Sequence, residues 1–347
     1  MNESVTWKQV LNQLVQQQDL SADQVAWAMD QLMTGQTPEA IAGAFLLGLH
    51  VKGESSGELA ALAQGMLQKA TPLQVNRQAL DLVGTGGDQH NTVNISTMAS
   101  LLAAGAGAPV VKHGNRASSS MTGSADVLQE LGINLNMKVN DLASCLEEVG
   151  ISFLFAQVFH PAVRHIAPIR KSLAVPTAFN FLGPMTNPAR VKSSAVGVAR
   201  SDMAEKMAQV FAARGDHALI LRGSDGLDEL TITGPSHIWE AWDGGVKEHS
   251  FDPASYGFSY ASLDELRGGD AKHNAQVVVE VLQGRPGPIL DAVLINAAAG
   301  LLAYSPLNSD LDFKDRFAQA LEKARQSLES GSAQSVLDRW IDFSRRV

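Results

Sequence analysis

Up to about Pro72 the apolar positions recur at helical spacing. Ser21 can cap SADQVAWAMDQLM, Thr37-Pro38 opens TPEAIAGAFLLGLHV, and SSGELAALAQGMLQKA keeps the same period. This pattern predicts a helical module. The small side chains of AIAGAFLLGL allow helices to approach closely, and the many apolar positions suit either an internal bundle core or a subunit interface. From Asp81 the texture changes to short β-prone runs, DLVG, APVVKHG, ISFLFA, HALILRG and ELTITG, separated by glycine-rich turns and helices. Alternation of that kind predicts a mainly parallel sheet with covering helices. Beyond Ser236, HIWEAWDGG and VKEHSF read as a hairpin turning at Asp243-Gly244-Gly245, and DAVLINAAAGLLAY and FKDRFAQALEKARQSLESG read as closing helices. The expected class is therefore α/β, with a small N-terminal helical domain over 1–72 and a larger domain over 73–347, its mainly parallel sheet flanked by helices.

Composition narrows the function more than the fold. The 347 residues are 45% hydrophobic and 18% charged, which is ordinary for a globular chain. With 27 basic against 36 acidic residues the net charge is -9, which argues against sequence-independent binding to nucleic acid or to an anionic membrane. MNESVTWKQV lacks the basic-then-apolar order of a signal peptide, and no apolar run reaches the ~20 residues that span a bilayer, so a cytoplasmic location is expected. Cys145, the single cysteine, lies in LASCLEEVG and is expected on the buried face of a helix.

The densest chemistry is in DLVGTGGDQHNTVNISTMASLLAAGAGAPVVKHGNR. Here a strand runs into Gly84-Thr85-Gly86-Gly87-Asp88, where absent Cβ atoms let backbone N–H groups turn toward an anion. A helix follows with Asn94, Ser96 and Thr97 at its start, where free N–H groups attract phosphate. Neither a Walker A ending nor a GxGxxG pattern is present. Lys112, His113, Asn115 and Arg116 come at a strand end, followed by Ser118-Ser119-Ser120 and Gly123-Ser124, a set suited to several phosphate oxygens. Asp228-Glu229, in a loop between HALILRG and ELTITG, offers the paired carboxylates that Mg²⁺ shares with a substrate's phosphates.

Taken together and in order, GTGGD, NIST, KHGNRASSS with GSADVL, HPAVRH, FNFLGPMTNPA and SDGLDE resemble the anthranilate phosphoribosyltransferases. The glycine turn and the Lys-His pair alone are also found in pyrimidine nucleoside phosphorylases; the joint set distinguishes the two. The resemblance implies a nucleoside phosphorylase/phosphoribosyltransferase-like fold, with a returning helical segment at about 161–186 joining the N-terminal helices. It implies transfer of phosphoribose from phosphoribosyl pyrophosphate to anthranilate with Mg²⁺ bound, and a homodimer through the helical domain. Carried residue by residue, it places the donor on Gly84, Gly87, Asp88, Thr92, Asn94, Ile95, Ser96, Thr97, Lys112, His113, Gly114, Asn115, Arg116, Ala117, Ser118, Ser119, Ser120 and Ser124. Anthranilate falls to Gly84, Asn115 and Arg170, and the metal to Ser96, Asp228 and Glu229, with an electrostatic role for Lys112. Met121, and Ala174-Val175-Pro176 where a glycine is usual, depart from the family pattern.

Overall fold

The computed structural model describes residues 5–117, 121–307 and 310–347, and the chain divides into two compact units. One is built from Met1–Pro72 and Ala156–Pro188, the other from Leu73–Phe155 and Ala189–Val347. The first unit carries helices Trp7–Val15, Ala22–Met33, Glu39–Lys52 and Ser56–Gln68, with Thr6, Ser21 and Ser55 capping three of them through reciprocal side-chain bonds. Their buried faces hold Val25, Met29, Phe45, Leu46, Leu59 and Leu62. The returning chain does not form one helix over HPAVRHIAPIRKSLA. It makes a 3₁₀ turn at Pro161–His165 and then the helix Ala167–Leu173. Pro168 has no N–H to continue the earlier turn, so the ladder restarts there.

The second unit is a seven-stranded sheet in the order β3-β2-β1-β4-β5-β6-β7. The strands are β1 (Leu80–Gly84), β2 (Val110–Gly114), β3 (Ile151–Phe155), β4 (Ser193–Gly197), β5 (His217–Gly223), β6 (Ser236–Trp242) and β7 (Gly245–Phe251). The first five run parallel and the last two add an antiparallel hairpin. Asp243 and Gly244, at φ 46° and 79°, supply the two left-handed residues that such a tight hairpin turn needs. The helix Pro288–Tyr304 is buried along nearly its whole length and packs against the helices Ile95–Gly105 and Phe313–Glu329. Glu240 fastens the hairpin: buried on β6, it accepts two bonds from Arg316, at 2.7 and 2.8 Å, and lies within hydrogen-bond reach of His217 and His249. Cys145 is buried on the helix Val139–Val149, and burial pushes its thiol up to about 12, which leaves it a packing residue. Among the described residues no helix is long and apolar enough to cross a membrane.

Two strand readings differ from the structure. SSAVG forms β4 although it holds no long apolar run, and ELTITG is not a strand. In the latter segment side chains replace the ladder. Asp225 accepts from the hydroxyls of Thr231 and Thr233 at 2.7 Å each, and Asn296 both donates to the Leu230 carbonyl and accepts from its N–H, at 2.9 Å each. Replacing Asn296 with alanine would strand those two buried backbone groups. A loss of about 2–4 kcal/mol in denaturant unfolding is expected; a change within ~0.5 kcal/mol, the range of inert surface substitutions, would show that the clamp is dispensable.

Candidate active site

The chain lays β1, β2 and β3 toward one edge and then returns to place β4 on the other side of β1. Between the carboxyl ends of β1 and β4 the strand order reverses, and a crevice opens where parallel sheets bind ligands. Gly84 ends β1 and Gly197 ends β4, paired in register, and the Asp228-Glu229 loop lies directly over both. A Cβ on Gly84 would stand 2.2 Å from Asp228 Oδ2, and one on Gly197 would stand 1.6 Å from the Asp228 carbonyl oxygen. Only glycine fits at Gly197, where the clash is with backbone, whereas a side chain at Gly84 would have to push the Asp228 carboxylate aside.

Past Gly84 the backbone enters the left-handed region at Gly86 and Gly87, and again at Gln89 and Asn91, whose side chains make that conformation costly. The Gly86 N–H donates to Asp228 Oδ2 at 2.7 Å. Ser96, in the first turn of the helix Ile95–Gly105, gives its backbone N–H to Glu229. Lys112 rises from β2, 2% exposed, and its ammonium donates to the Leu82 carbonyl and, at 3.2 Å, to Ser96 Oγ. Asp81, fully buried beside it on β1, accepts from the His113 N–H at 3.1 Å.

Charge sets the character of this group. Burial, the neighbouring Glu229 and Asp88 hold the Asp228 carboxyl well above the ordinary carboxylate range, against the pull of the Gly86 N–H. Burial also pushes Glu229 up to about 8, with Lys112 opposing and Asp88 reinforcing the rise. Lys112 is lowered by burial, although Asp81 and Glu229 favour its charged form. Both acids keep part of their surface open to solvent while protein crowds their other sides. Two crowded, half-open carboxylates resist ionisation until positive charge arrives. Their oxygen-only donors, with the Ser96 hydroxyl alongside, fit a hard divalent cation such as Mg²⁺. Among the described residues no group of three or more His, Cys, Asp or Glu side chains is arranged to hold a metal.

The three cationic groups at the end of β2 and just past it do not face one way. Lys112 points beneath the glycine turn, His113 is buried on the opposite side of the strand, and Arg116 bonds Asp126 and Gln129 at 2.7 and 2.8 Å. Asp126 in turn accepts from the N–H groups of Ala117 and Gly123, each at 3.0 Å, which shapes the loop that carries Asn115, Arg116 and Ala117. Ser118, Ser119 and Ser120 lie outside the described residues, and Ser124 opens the helix Ser124–Glu130. Arg170 belongs to the helical unit, where its guanidinium reaches Asn180 Oδ1 at 3.3 Å and lies over the Phe179 ring.

Sequence reasoning missed Gly197, Asn296 and Asn274. Gly197 follows a small-residue strand much as Gly84 follows an apolar one, and that likeness is the only local signal. Asn274 lies just after Gly268-Gly269-Asp270, a turn and cap sequence.

A model described as glycosyl transferase family, a/b domain, matches residues 76–334, and one described as glycosyl transferase family, helical bundle domain, matches residues 8–70. An anthranilate phosphoribosyltransferase of Arthrobacter sp. (strain FB24) is 55% identical over 341 residues, covering 98% of this chain and 96% of the relative. Among solved structures, the anthranilate phosphoribosyltransferase of Thermus thermophilus superposes with a TM-score of 0.89 at 37% identity, over 97% of this chain and 99% of the other. The Saccharomyces cerevisiae enzyme, in complex with PRPP and Mg, gives 0.88 at 27% identity, over 98% of each chain.

Proposed function

The chain belongs to the anthranilate phosphoribosyltransferases, and from that premise we propose how its residues serve the reaction. It transfers the phosphoribosyl group of phosphoribosyl pyrophosphate to the amine of anthranilate, a step of tryptophan biosynthesis, with Mg²⁺ as cofactor. The observation that carries the assignment of roles is the acidic pair held over paired strand-end glycines, bonded to the glycine turn on one side and to the Ser96 helix on the other.

Displacing pyrophosphate from the anomeric carbon leaves positive character on the ribose and places negative charge on the leaving group. The turn Gly84 to Asp88, with Thr92 and Asn94 to Thr97, meets the donor's phosphates through backbone N–H groups and hydroxyls. Asn115, Arg116, Ala117 and Ser124 flank it from the next loop, and Arg116 does so only by leaving Asp126. Asp228, Glu229 and Ser96 would hold magnesium, which when bound would supply charge neutralisation for the leaving pyrophosphate. Lys112 contributes from below through Ser96 Oγ and its field at Glu229. The aromatic amine attacks with its neutral lone pair, so no general base is required before bond formation, and the proton released afterwards passes to solvent or to a carboxylate. Arg170, half-buried and planar, is suited to grip the acceptor's carboxylate with two parallel bonds.

The decisive assay incubates the protein with anthranilate, phosphoribosyl pyrophosphate and Mg²⁺ and follows the loss of anthranilate fluorescence. No loss with folded protein would reject the reaction. For Arg170→Ala the anthranilate KM is expected to rise about tenfold or more while the donor KM stays within about twofold; a rise in donor KM alone would remove Arg170 from the acceptor's side. Val15, Leu47 and Val51, exposed on the helical unit, support a homodimer formed through that unit. A cytoplasmic location accords with a biosynthetic enzyme of this kind.

A further inference from the structure

The loop that leads into the Ile95–Gly105 helix is tied along its length to a segment far away in sequence. The Val93 N–H donates to the Leu266 carbonyl at 2.9 Å, Thr92 forms an antiparallel bridge with Arg267, and the Gly268 N–H donates to the Asn91 carbonyl at 2.8 Å. Where this zipper ends, four residues close a ring. Asn274 Nδ2 donates to Asn94 Oδ1 at 2.9 Å, and Asn94 Nδ2 donates to the Thr122 carbonyl at 3.1 Å. The Thr122 hydroxyl donates to the Gly269 carbonyl at 2.7 Å, and the Gly269 N–H donates to Asn274 Oδ1 at 2.8 Å. Every bond in the ring runs in a fixed direction, so turning over either amide would break two of them. Asn94 makes no capping bond to its own helix; its side chain is spent on the ring instead. Asn274 is 2% exposed, so its amide is shielded from competing water.

We propose that Asn274 is a positioning residue for the phosphoribosyl donor, acting through Asn94. The inference rests on the reading of Asn94 to Thr97 as donor-binding. Asn274 touches no substrate. Its amide fixes which face of the Asn94 side chain carries the free N–H and which the free lone pair, and it locks the entry to the helix against the loop bearing Thr122. Residue 274 thereby sets the pose of a donor contact 180 positions earlier in the chain.

The test measures binding of phosphoribosyl pyrophosphate with Mg²⁺ by calorimetry, together with both KM values, in Asn94→Ala, Asn274→Ala, Asn274→Asp and the Asn94→Ala/Asn274→Ala double variant. Asn274→Asp keeps the acceptor for the Gly269 N–H and nearly the same shape, but it has no N–H₂ to give Asn94, so it tests the ring even should the alanine variant fold poorly. Donor affinity is expected to fall about tenfold in each Asn274 variant, with the anthranilate KM within about twofold. The double variant should bind donor no more weakly than Asn94→Ala alone, because a residue that works through Asn94 has nothing left to position. Wild-type donor affinity in Asn274→Asp, or additive losses in the double variant, overturns the inference. Unchanged donor binding in Asn94→Ala itself instead refutes the reading of the loop on which the inference stands.

Discussion

Changing Asp228 to asparagine and Glu229 to glutamine together is expected to lower magnesium-dependent turnover by about 10³-fold or more while leaving thermal stability equal or higher. The opposite signs follow from the geometry. Both replacements are near-isosteric and keep an oxygen to accept from the Gly86 and Ser96 N–H groups, so the loop retains its anchors. What disappears is charge. Burial and Asp88 hold both carboxyls above their ordinary range, and Glu229 adds to the rise at Asp228, so in metal-free buffer their charged forms work against the fold. Lys112 loses Glu229 but keeps Asp81 on the adjacent strand. Differential scanning calorimetry without metal, run beside a magnesium titration of activity, separates the two effects. Wild-type turnover in the double variant would take the pair out of the metal's reach, and a collapse of the melting transition would make the pair structural.

Gly197→Ala should fail in a different way, losing stability and activity together. The new Cβ would meet the Asp228 carbonyl oxygen at 1.6 Å and its carbon at 2.3 Å, and backbone cannot swing aside as a side-chain tip can. Either β4 leaves its register with β1 or the Asp228-Glu229 loop lifts. A loss of about 3 kcal/mol with turnover falling at least about 10²-fold is expected, at the upper end of overpacking costs. Gly84→Ala meets mainly the Asp228 carboxylate tip, at 2.2 Å, so it should spare more of the stability and still displace that carboxylate from the Gly86 N–H. Gly57→Ala is the control. It lies exposed in the first turn of the helix Ser56–Gln68 and meets nothing closer than 3.9 Å. Equal melting temperatures for Gly197→Ala and Gly57→Ala would show that the crevice floor tolerates a methyl group.

The parts of the fold that were legible in the sequence were those whose signal is local. Apolar runs such as VVKHG and HALILRG announced buried parallel strands, Ser21 announced a helix start, and Asp243-Gly244 announced a hairpin. SSAVG was silent because β4 is buried with small and hydroxyl-bearing side chains in place of a valine-rich run. ELTITG misled because its composition is β-prone, while the Leu230 backbone groups are taken by Asn296, 66 positions away, and the Thr231 and Thr233 hydroxyls by Asp225. The same division holds at the site. Glycine turn, helix start, Lys112 and the acidic pair are each compact motifs, whereas Asn274 and Asn296 act across long separations and look like ordinary helical residues. The strand end gave three cationic groups, but only a structure shows that alternation along β2 and the pull of Asp126 send them three ways.

The split make-up of the helical unit bears on how the chain leaves the ribosome. Its first four helices emerge early, yet the turn whose His165 ring packs on Gly35, and the helix whose Leu173 meets Gly43, arrive only after β1, β2 and β3 have been synthesised. β1, for its part, waits beyond Pro188 for β4 to cover its open edge. Each half thus holds back the other's missing piece, so neither reaches completion as a nascent fragment, and a polypeptide halted at Pro72 would display an apolar surface suited to chaperones rather than a finished bundle.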